Sequence, residues 1–314
     1  MLLFPRKIMG QIIGFGHTLQ KVCITQKSEY SAPARLSSQL CRINSVNQRR
    51  TIMKKLFTLF TLSILVMSTT KAQHNVEGKG KILMIAANPS VSKQTGWPIG
   101  FWGSELTHPY WEFVTAGYEV EIVSLEGGKL ELDLYSDPRH ESGYSAQDIL
   151  TLGFMTSPVT SKLIESTKKI SEVNPSDYQA IFLVGGQSPM YTFYKNEKLE
   201  KFVVDFYETR KPTAIVCHAT SVLLNAKLPN GKYLVEGKKW TGFANSEEDI
   251  ADKAVGQKLQ PFRIEDEARK IKNSTFTVAP AFSSYALADG NLITGQQQNS
   301  GADAAKLVIQ QLSK

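Results

Sequence analysis

Cysteine is nearly absent from this chain. Its 314 residues hold three, and Cys23 and Cys41 both lie within the first 52, so everything beyond keeps only Cys217. One thiol can close no internal disulfide and can supply no cysteine-based zinc site. Acidic residues are missing from the same first 52 positions, which carry eight Lys and Arg against Glu29 alone. Histidine runs out early as well: none follows His218. Long apolar runs are also lacking. The most apolar stretch, 56–67, is about a dozen residues, too short to span a bilayer comfortably.

That stretch follows Met53-Lys54-Lys55 and ends in small residues before Gln73. A lysine n-region, an apolar h-region and a small-residue cleavage site make the pattern of a secretory signal peptide. The expectation is an upstream leader over 1–52 that is not part of the mature protein, a signal peptide over 53–72, and a periplasmic or secreted domain over 73–314. A basic, acid-poor leader also has the composition of an organellar transit peptide, but a signal beginning at its own methionine suggests translation from Met53. No cysteine lies at the cleavage site to carry a lipid, so no stable membrane anchor is expected. Beyond residue 72 stand 25 Lys and Arg against 28 Asp and Glu, a net of −3, although the whole chain is formally +7. A near-neutral body gives no reason to expect nucleic acid or an acidic membrane as partner.

What is present is an alternation of short apolar runs and amphipathic stretches. Strands are expected over 81–87, 118–124, 180–184, 213–216, 275–278 and 292–294. Helices are expected over 105–116, 161–170, 196–209, 247–258, 261–270 and 302–312, with Pro109 tolerated only in a first turn. The stretch 228–241 reads as a hairpin turning near Gly237. Alternating strands and helices imply one α/β domain, a mostly parallel sheet sandwiched by helices, with ligands bound at the carboxyl ends of the strands. Trp97, Phe101 and Trp102, in a loop rich in Gly, Pro and Ser, are candidates to wall a pocket.

Around Cys217 the chain reads Thr213-Ala214-Ile215-Val216-Cys217-His218-Ala219-Thr220, a buried strand that turns directly into a helix-like stretch. A nucleophile at such a turn is a nucleophile elbow. Helix amides facing the sulfur predict an accessible, thiolate-rich cysteine with a lowered pKa. Two other strand ends point to the same place, one leading to Glu105 and one to Gly185-Gly186, whose unobstructed amides suit an oxyanion. Glu105 and His108 also have a metal-binding spacing, but Pro109 argues against continuous helix there. No metal and no cofactor are expected.

These motifs resemble the ThiJ/PfpI superfamily, which shares the class I glutamine amidotransferase-like, flavodoxin-like fold. They are Gly103-Ser104-Glu105-Leu106-Thr107-His108-Pro109, Asp177 to Phe182 leading to Gly185-Gly186, Val216-Cys217-His218, Gly237 to Phe243 followed by Glu247-Glu248, and Leu292 to Gln296, across residues 80–312. The branch they resemble most is that of the glutathione-independent glyoxalases (glyoxalase III) and related heat-shock chaperones. The resemblance implies a nucleophile Cys217, a neighbouring His218, an orienting acid Glu248 with Glu247 as runner-up, and Glu105 touching the sulfur. It implies oxyanion and substrate contacts from Gly185, Gly186 and Gln187, together with the amide of His218. The implied partner is a small-molecule carbonyl substrate such as methylglyoxal, converted to a 2-hydroxy acid without glutathione. A homodimer is left open.

The chain departs from that branch in places. Gly186-Gln187-Ser188 replaces the usual Gly-His-Gly, Ala219-Thr220 replaces Gly-Pro, and Gln296-Gln297-Gln298 replaces Gln-Asn-Pro. The departures bear on substrate choice more than on the nucleophile. The distant His-x-Glu pair of true glutamine amidotransferases has no counterpart, because no histidine follows His218. An amidase or peptidase of the same fold, and a non-enzymatic envelope chaperone or redox sensor, are the competing readings.

Overall fold

The computed structural model describes residues 78–314. The expected leader and signal peptide lie outside the described residues.

In chain order the elements are β1 (Lys81–Ala86), β2 (Ser90–Val91), β3 (Pro98–Ile99), α1 (Gly103–Thr115), β4 (Glu119–Ser124), α2 (Ile149–Thr156), α3 (Lys162–Glu165) and β5 (Lys168–Lys169). Then come β6 (Tyr178–Leu183), α4 (Pro189–Thr192), α5 (Glu197–Glu208) and β7 (Thr213–Val216), followed by a 3-10 stretch, Cys217–Leu224. The chain closes with β8 (Lys239–Trp240), α6 (Asn245–Val255), α7 (Ile264–Ala268), β9 (Thr275–Phe276), β10 (Ala286–Asp289), β11 (Leu292–Gly295) and α8 (Gly301–Leu312).

Seven strands form one sheet in the order β10-β11-β7-β6-β1-β4-β5. All its neighbours pair parallel except β10, which runs antiparallel to β11. The apolar runs are continuous rather than alternating because both faces are covered: β7 and β11 are wholly buried, and β1 is buried from Ile82 onward. Helices α1 and α8 pack on each other and against the sheet, and α5 packs on β7. The α5 stripe is as the periodicity predicts, with Leu199, Val203 and Phe206 buried, Phe202 half-buried, and Asn196 Oδ1 capping the Leu199 N–H at 3.1 Å. The expected α/β architecture is therefore the observed one. After β1 the chain builds outward to β4 and later returns to place β6 on the other side of β1. That reversal opens a crevice at the strand carboxyl ends.

Several elements differ from expectation. The helix expected over 161–170 is a single turn, α3, followed by the edge strand β5. Thr167 holds this part extended, with its Oγ1 bonded to Ser124 Oγ at 2.9 Å and to the Gly128 carbonyl at 2.8 Å. The hairpin expected over 228–241 is a run of turns. Lys239–Trp240 pairs instead, in parallel, with Thr275–Phe276, a partner distant in sequence. The stretch 261–270 yields only the short α7, and α2 arises in a stretch for which no element is expected. Pro109 sits inside a continuous α1, not in its first turn. Gly301 of α8 lies against this proline: a Cβ there would stand 3.1 Å from Pro109 Cγ and 3.5 Å from Glu105 Cα.

Candidate active site

β7 delivers Cys217 to the crevice. Its backbone has φ +55°, left-handed for a residue with a Cβ, a conformation that costs on the order of 1–3 kcal/mol and persists only where the surroundings enforce it. The enforcement is local. Thr220 Oγ1 donates to the Cys217 carbonyl at 2.6 Å, and Gly242 lies so close to Thr220 that a Cβ would collide with that hydroxyl. The threonine standing at an unusual position in the sequence thus braces the turn. The following stretch is 3-10 throughout, not the expected α-helix.

Cys217 Sγ lies 3.4 Å from His218 Nδ1, and His218 Nε2 lies 3.0 Å from Glu248 Oε1. With Nε2–H donating to the carboxylate, Nδ1 is left as the acceptor facing sulfur. Phe243 stacks on the imidazole, with centroids 4.1 Å apart, so the ring is held on a face as well as at both nitrogens. The adjacent Glu247 does different work. Its oxygens accept from the Ala244 and Phe282 amides at 2.9 and 3.0 Å and from Gln296 Nε2 at 2.8 Å. It secures the segment bearing Phe282, a residue with φ +57° that lines the same pocket.

Glu105, in the first turn of α1, is fully buried against the sulfur. A Cβ at Gly185 would collide with Glu105 Oε2 and stand 2.7 Å from Cys217 Cβ, so glycine is what allows the three to meet. Neither Glu105 oxygen closes a well-formed hydrogen bond, although Cys217 and the Gly185 amide are the neighbours that favour its charge. Burial dominates and holds this carboxyl up at about 8. Glu105 is therefore protonated at neutral pH. His108, on the same helix, turns away to Asp148 Oδ1 at 2.8 Å.

The accessible, low-pKa thiol expected from sequence is not what the fold provides. Cys217 is 3% exposed, and burial pushes its pKa well up, with a charged Glu105 adding to the rise. The amides of His218 and Gly186 act in the opposite direction, toward thiolate. A protonated Glu105 adds no repulsion at neutral pH, which leaves burial as the main opposing cause. The helix field read from sequence is a small effect beside this desolvation.

One supporting residue was not legible. Asp133 is completely buried and accepts the Gly100 amide at 2.9 Å and the Gln187 amide at 2.6 Å. It ties the loop before α1 to the glycine turn after β6. Burial raises its pKa to about 6, and its bonds to Gly100 and Gln187 oppose that rise. It lies in a stretch without periodicity, and its partners are backbone groups, so no side-chain motif announces it.

Cys217 opens on a cavity of about 200 Å³. Trp97, Trp102, Tyr135, Tyr144, Phe243 and Phe282 supply its aromatic lining, with Gln187 and Gln260 among the polar groups. Phe101, expected beside the two tryptophans, is instead fully buried in the core. The structure thus brings Glu105, Gly185, Gly186, Gln187, Cys217, His218 and Glu248 to one place. Among the described residues no cluster of three or more His, Cys, Asp or Glu is arranged to hold a metal.

Most of the chain is similar to known proteins. The chain is 28% identical over 231 residues to a probable glutathione-independent glyoxalase of Schizosaccharomyces pombe, covering 66% of this chain and 88% of that protein. It is 28% identical over 221 residues to a glutathione-independent glyoxalase of Saccharomyces cerevisiae, covering 69% and 91%. Among solved structures, the 24 kDa rapid encystment protein of Francisella tularensis aligns with a TM-score of 0.65 at 29% identity, covering 74% of this chain and 99% of that one. The DJ-1/PfpI family profile matches residues 99–311, a stretch that holds Glu105, the glycine turn, the elbow and Glu248; the chain belongs to the DJ-1/PfpI family.

Proposed function

We propose that the protein is a cysteine-dependent, glutathione-independent glyoxalase that converts 2-oxoaldehydes such as methylglyoxal to 2-hydroxy acids. The observation that carries this reading is the chain Cys217–His218–Glu248 at a left-handed elbow beside the buried Glu105 carboxyl, facing an aromatic-lined pocket. The similarity to glyoxalases of two yeasts supports it.

His218 Nδ1 takes the thiol proton as Sγ adds to the aldehyde carbon, and Glu248 steadies the imidazolium. The oxygen of the resulting hemithioacetal takes its charge toward the amides of Gly186 and His218. That oxygen is protonated by Glu105 or by the imidazolium, which frees the donor as the base that removes the hydrogen from the former aldehyde carbon, while the other of the two protonates the neighbouring carbonyl oxygen, giving an enediol. Its neighbouring carbon is reprotonated, which leaves a thioester on Cys217. Water cleaves the thioester, releasing the 2-hydroxy acid and restoring the thiol. The net change is addition of one water to the oxoaldehyde, with no external oxidant or reductant. A protonated Glu105 can donate to the substrate before it accepts, which suits a residue that must move protons both ways.

The test is purified protein with methylglyoxal and no glutathione. Loss of methylglyoxal with equimolar lactate is expected, abolished by Cys217→Ala. No lactate from a folded protein would overturn the proposal.

A further inference from the structure

The cavity in front of Cys217 is larger and more aromatic than methylglyoxal requires. Its volume of about 200 Å³ equals the share of roughly seven liquid waters. Methylglyoxal presents one methyl group beyond its two carbonyls and leaves most of that space wet. The walls do not favour water. Among them Trp97 packs on Tyr135 at 6.2 Å between ring centroids, and Trp102 meets Tyr144 edge-on at 5.9 Å. Ile250, Val255 and Leu259 add aliphatic surface from α6 and the segment after it. At this pocket Tyr144 and Ile250 remain 57% and 50% exposed, large apolar groups left without cover. Flat rings and aliphatic side chains lining one cavity suit a planar apolar group.

A second, independent feature points to an occupant. The Gln187 carboxamide oxygen is buried without a hydrogen-bond partner, and Gln187 lines the cavity next to Gly186. A buried acceptor left unmade is costly, and a ligand hydroxyl relieves it once the carboxamide turns toward the cavity. The hemithioacetal and enediol of an oxoaldehyde both carry such hydroxyls, and so does a 2-hydroxy acid.

We infer that the preferred substrates are 2-oxoaldehydes whose second carbon carries an aromatic ring, with the ring seated against the aromatic and aliphatic side chains that line the cavity. This rests on the proposed function for its chemistry, but not for the seating of the ring. Burial of a ring against these walls favours an aryl over a methyl substrate by at least about tenfold, and the preference acts on both substrate and product.

Two measurements test it. In the first, kcat/KM is compared for phenylglyoxal and methylglyoxal in the wild type and in Trp102→Ala and Ala251→Phe. The first change removes a wall and the second fills the slot. The expected result is a phenylglyoxal preference of tenfold or more, falling by about tenfold in either variant. Intrinsic reactivity of the two aldehydes cannot produce that fall, since it is common to all three proteins. In the second, mandelate and lactate are titrated into Cys217→Ala by calorimetry, with tryptophan fluorescence followed alongside. Mandelate is expected to bind at least tenfold more tightly and to perturb the fluorescence of Trp97 and Trp102. Turnover of both aldehydes without preference, or a preference unchanged by both variants, overturns the inference and leaves the glyoxalase reading standing. No turnover of either aldehyde, with mandelate still bound tenfold more tightly, sinks the glyoxalase reading and keeps the aryl slot. Equal binding of mandelate and lactate overturns the slot whatever the enzyme does.

Discussion

At the scale of single residues, two neighbouring glutamates divide the labour. Glu248 touches His218, while Glu247 is spent on three N–H donors. Glu248→Gln is expected to lower kcat at least a hundredfold, because the amide no longer holds the tautomer that leaves Nδ1 free for the thiol. Glu247→Gln should instead lower stability by about 1–3 kcal/mol, since one backbone donor then meets an amide NH2. Thermal melts and steady-state kinetics on both variants separate the two roles; equal, small losses of activity in both would remove Glu248 from the site.

Protonation is the second matter at this scale. Glu105 is held up at about 8, from an ordinary value of 4.5. An acid whose pKa is higher in the fold stabilises fully below its unfolded value and loses that contribution as pH rises through its folded value. Raising pH from 5 to 8 should therefore lower stability by up to about 1.4 kcal/mol per pH unit from this group. Urea titrations across that range should show the slope in wild type and a flatter one in Glu105→Gln. For the thiol, a raised pKa predicts that alkylation of native Cys217 by iodoacetamide, followed by peptide mapping, accelerates through the alkaline range. A rate already at its plateau by pH 7 would mean that the sulfur is a thiolate despite its burial.

At the scale of elements, the site is assembled by turns whose positions are set by close backbone approach. Gly185 leaves room for Glu105 and Cys217, and Gly186, at φ +114°, passes against the backbone of Phe101 and Trp102. Gly185→Ala is expected to cost about 1–3 kcal/mol through overpacking and to displace Glu105 from the sulfur. Chemical denaturation gives the first effect, and loss of the pH-dependent slope described for Glu105 gives the second. Asp133 staples the same turn to the loop before α1 by two backbone bonds. Asp133→Ala leaves both amides without a buried acceptor and should lower both melting temperature and kcat, whereas a change in stability alone would make Asp133 only a structural staple.

At the scale of the whole molecule, the signal pattern beginning at Met53 leads to the expectation of export and a mature chain starting near Gln73. Mass spectrometry of the native protein checks this; an intact N-terminus carrying Cys23 or Cys41 in a cytosolic fraction sinks it. Among the described residues no helix is long and apolar enough to cross a membrane.

Much of this protein was readable one residue after another. The main parallel strands, the amphipathic α5 and the elbow at Cys217 follow from local apolar pattern and turn chemistry, which neighbours in sequence carry. The resemblance those motifs carry implied that Glu105, Gly186, Cys217, His218 and Glu248 share one site. Tertiary structure alone decided what depends on distant partners. Thr167 became extended because Ser124 and Gly128 bind it, and Lys239–Trp240 became a strand because Thr275–Phe276 lies beside it. Asp133 joined the site through backbone amides that no motif encodes. The protonation of Cys217 and Glu105 was settled in the same way: side-chain type sets where a proton can go, but burial of one group against the other sets when it leaves.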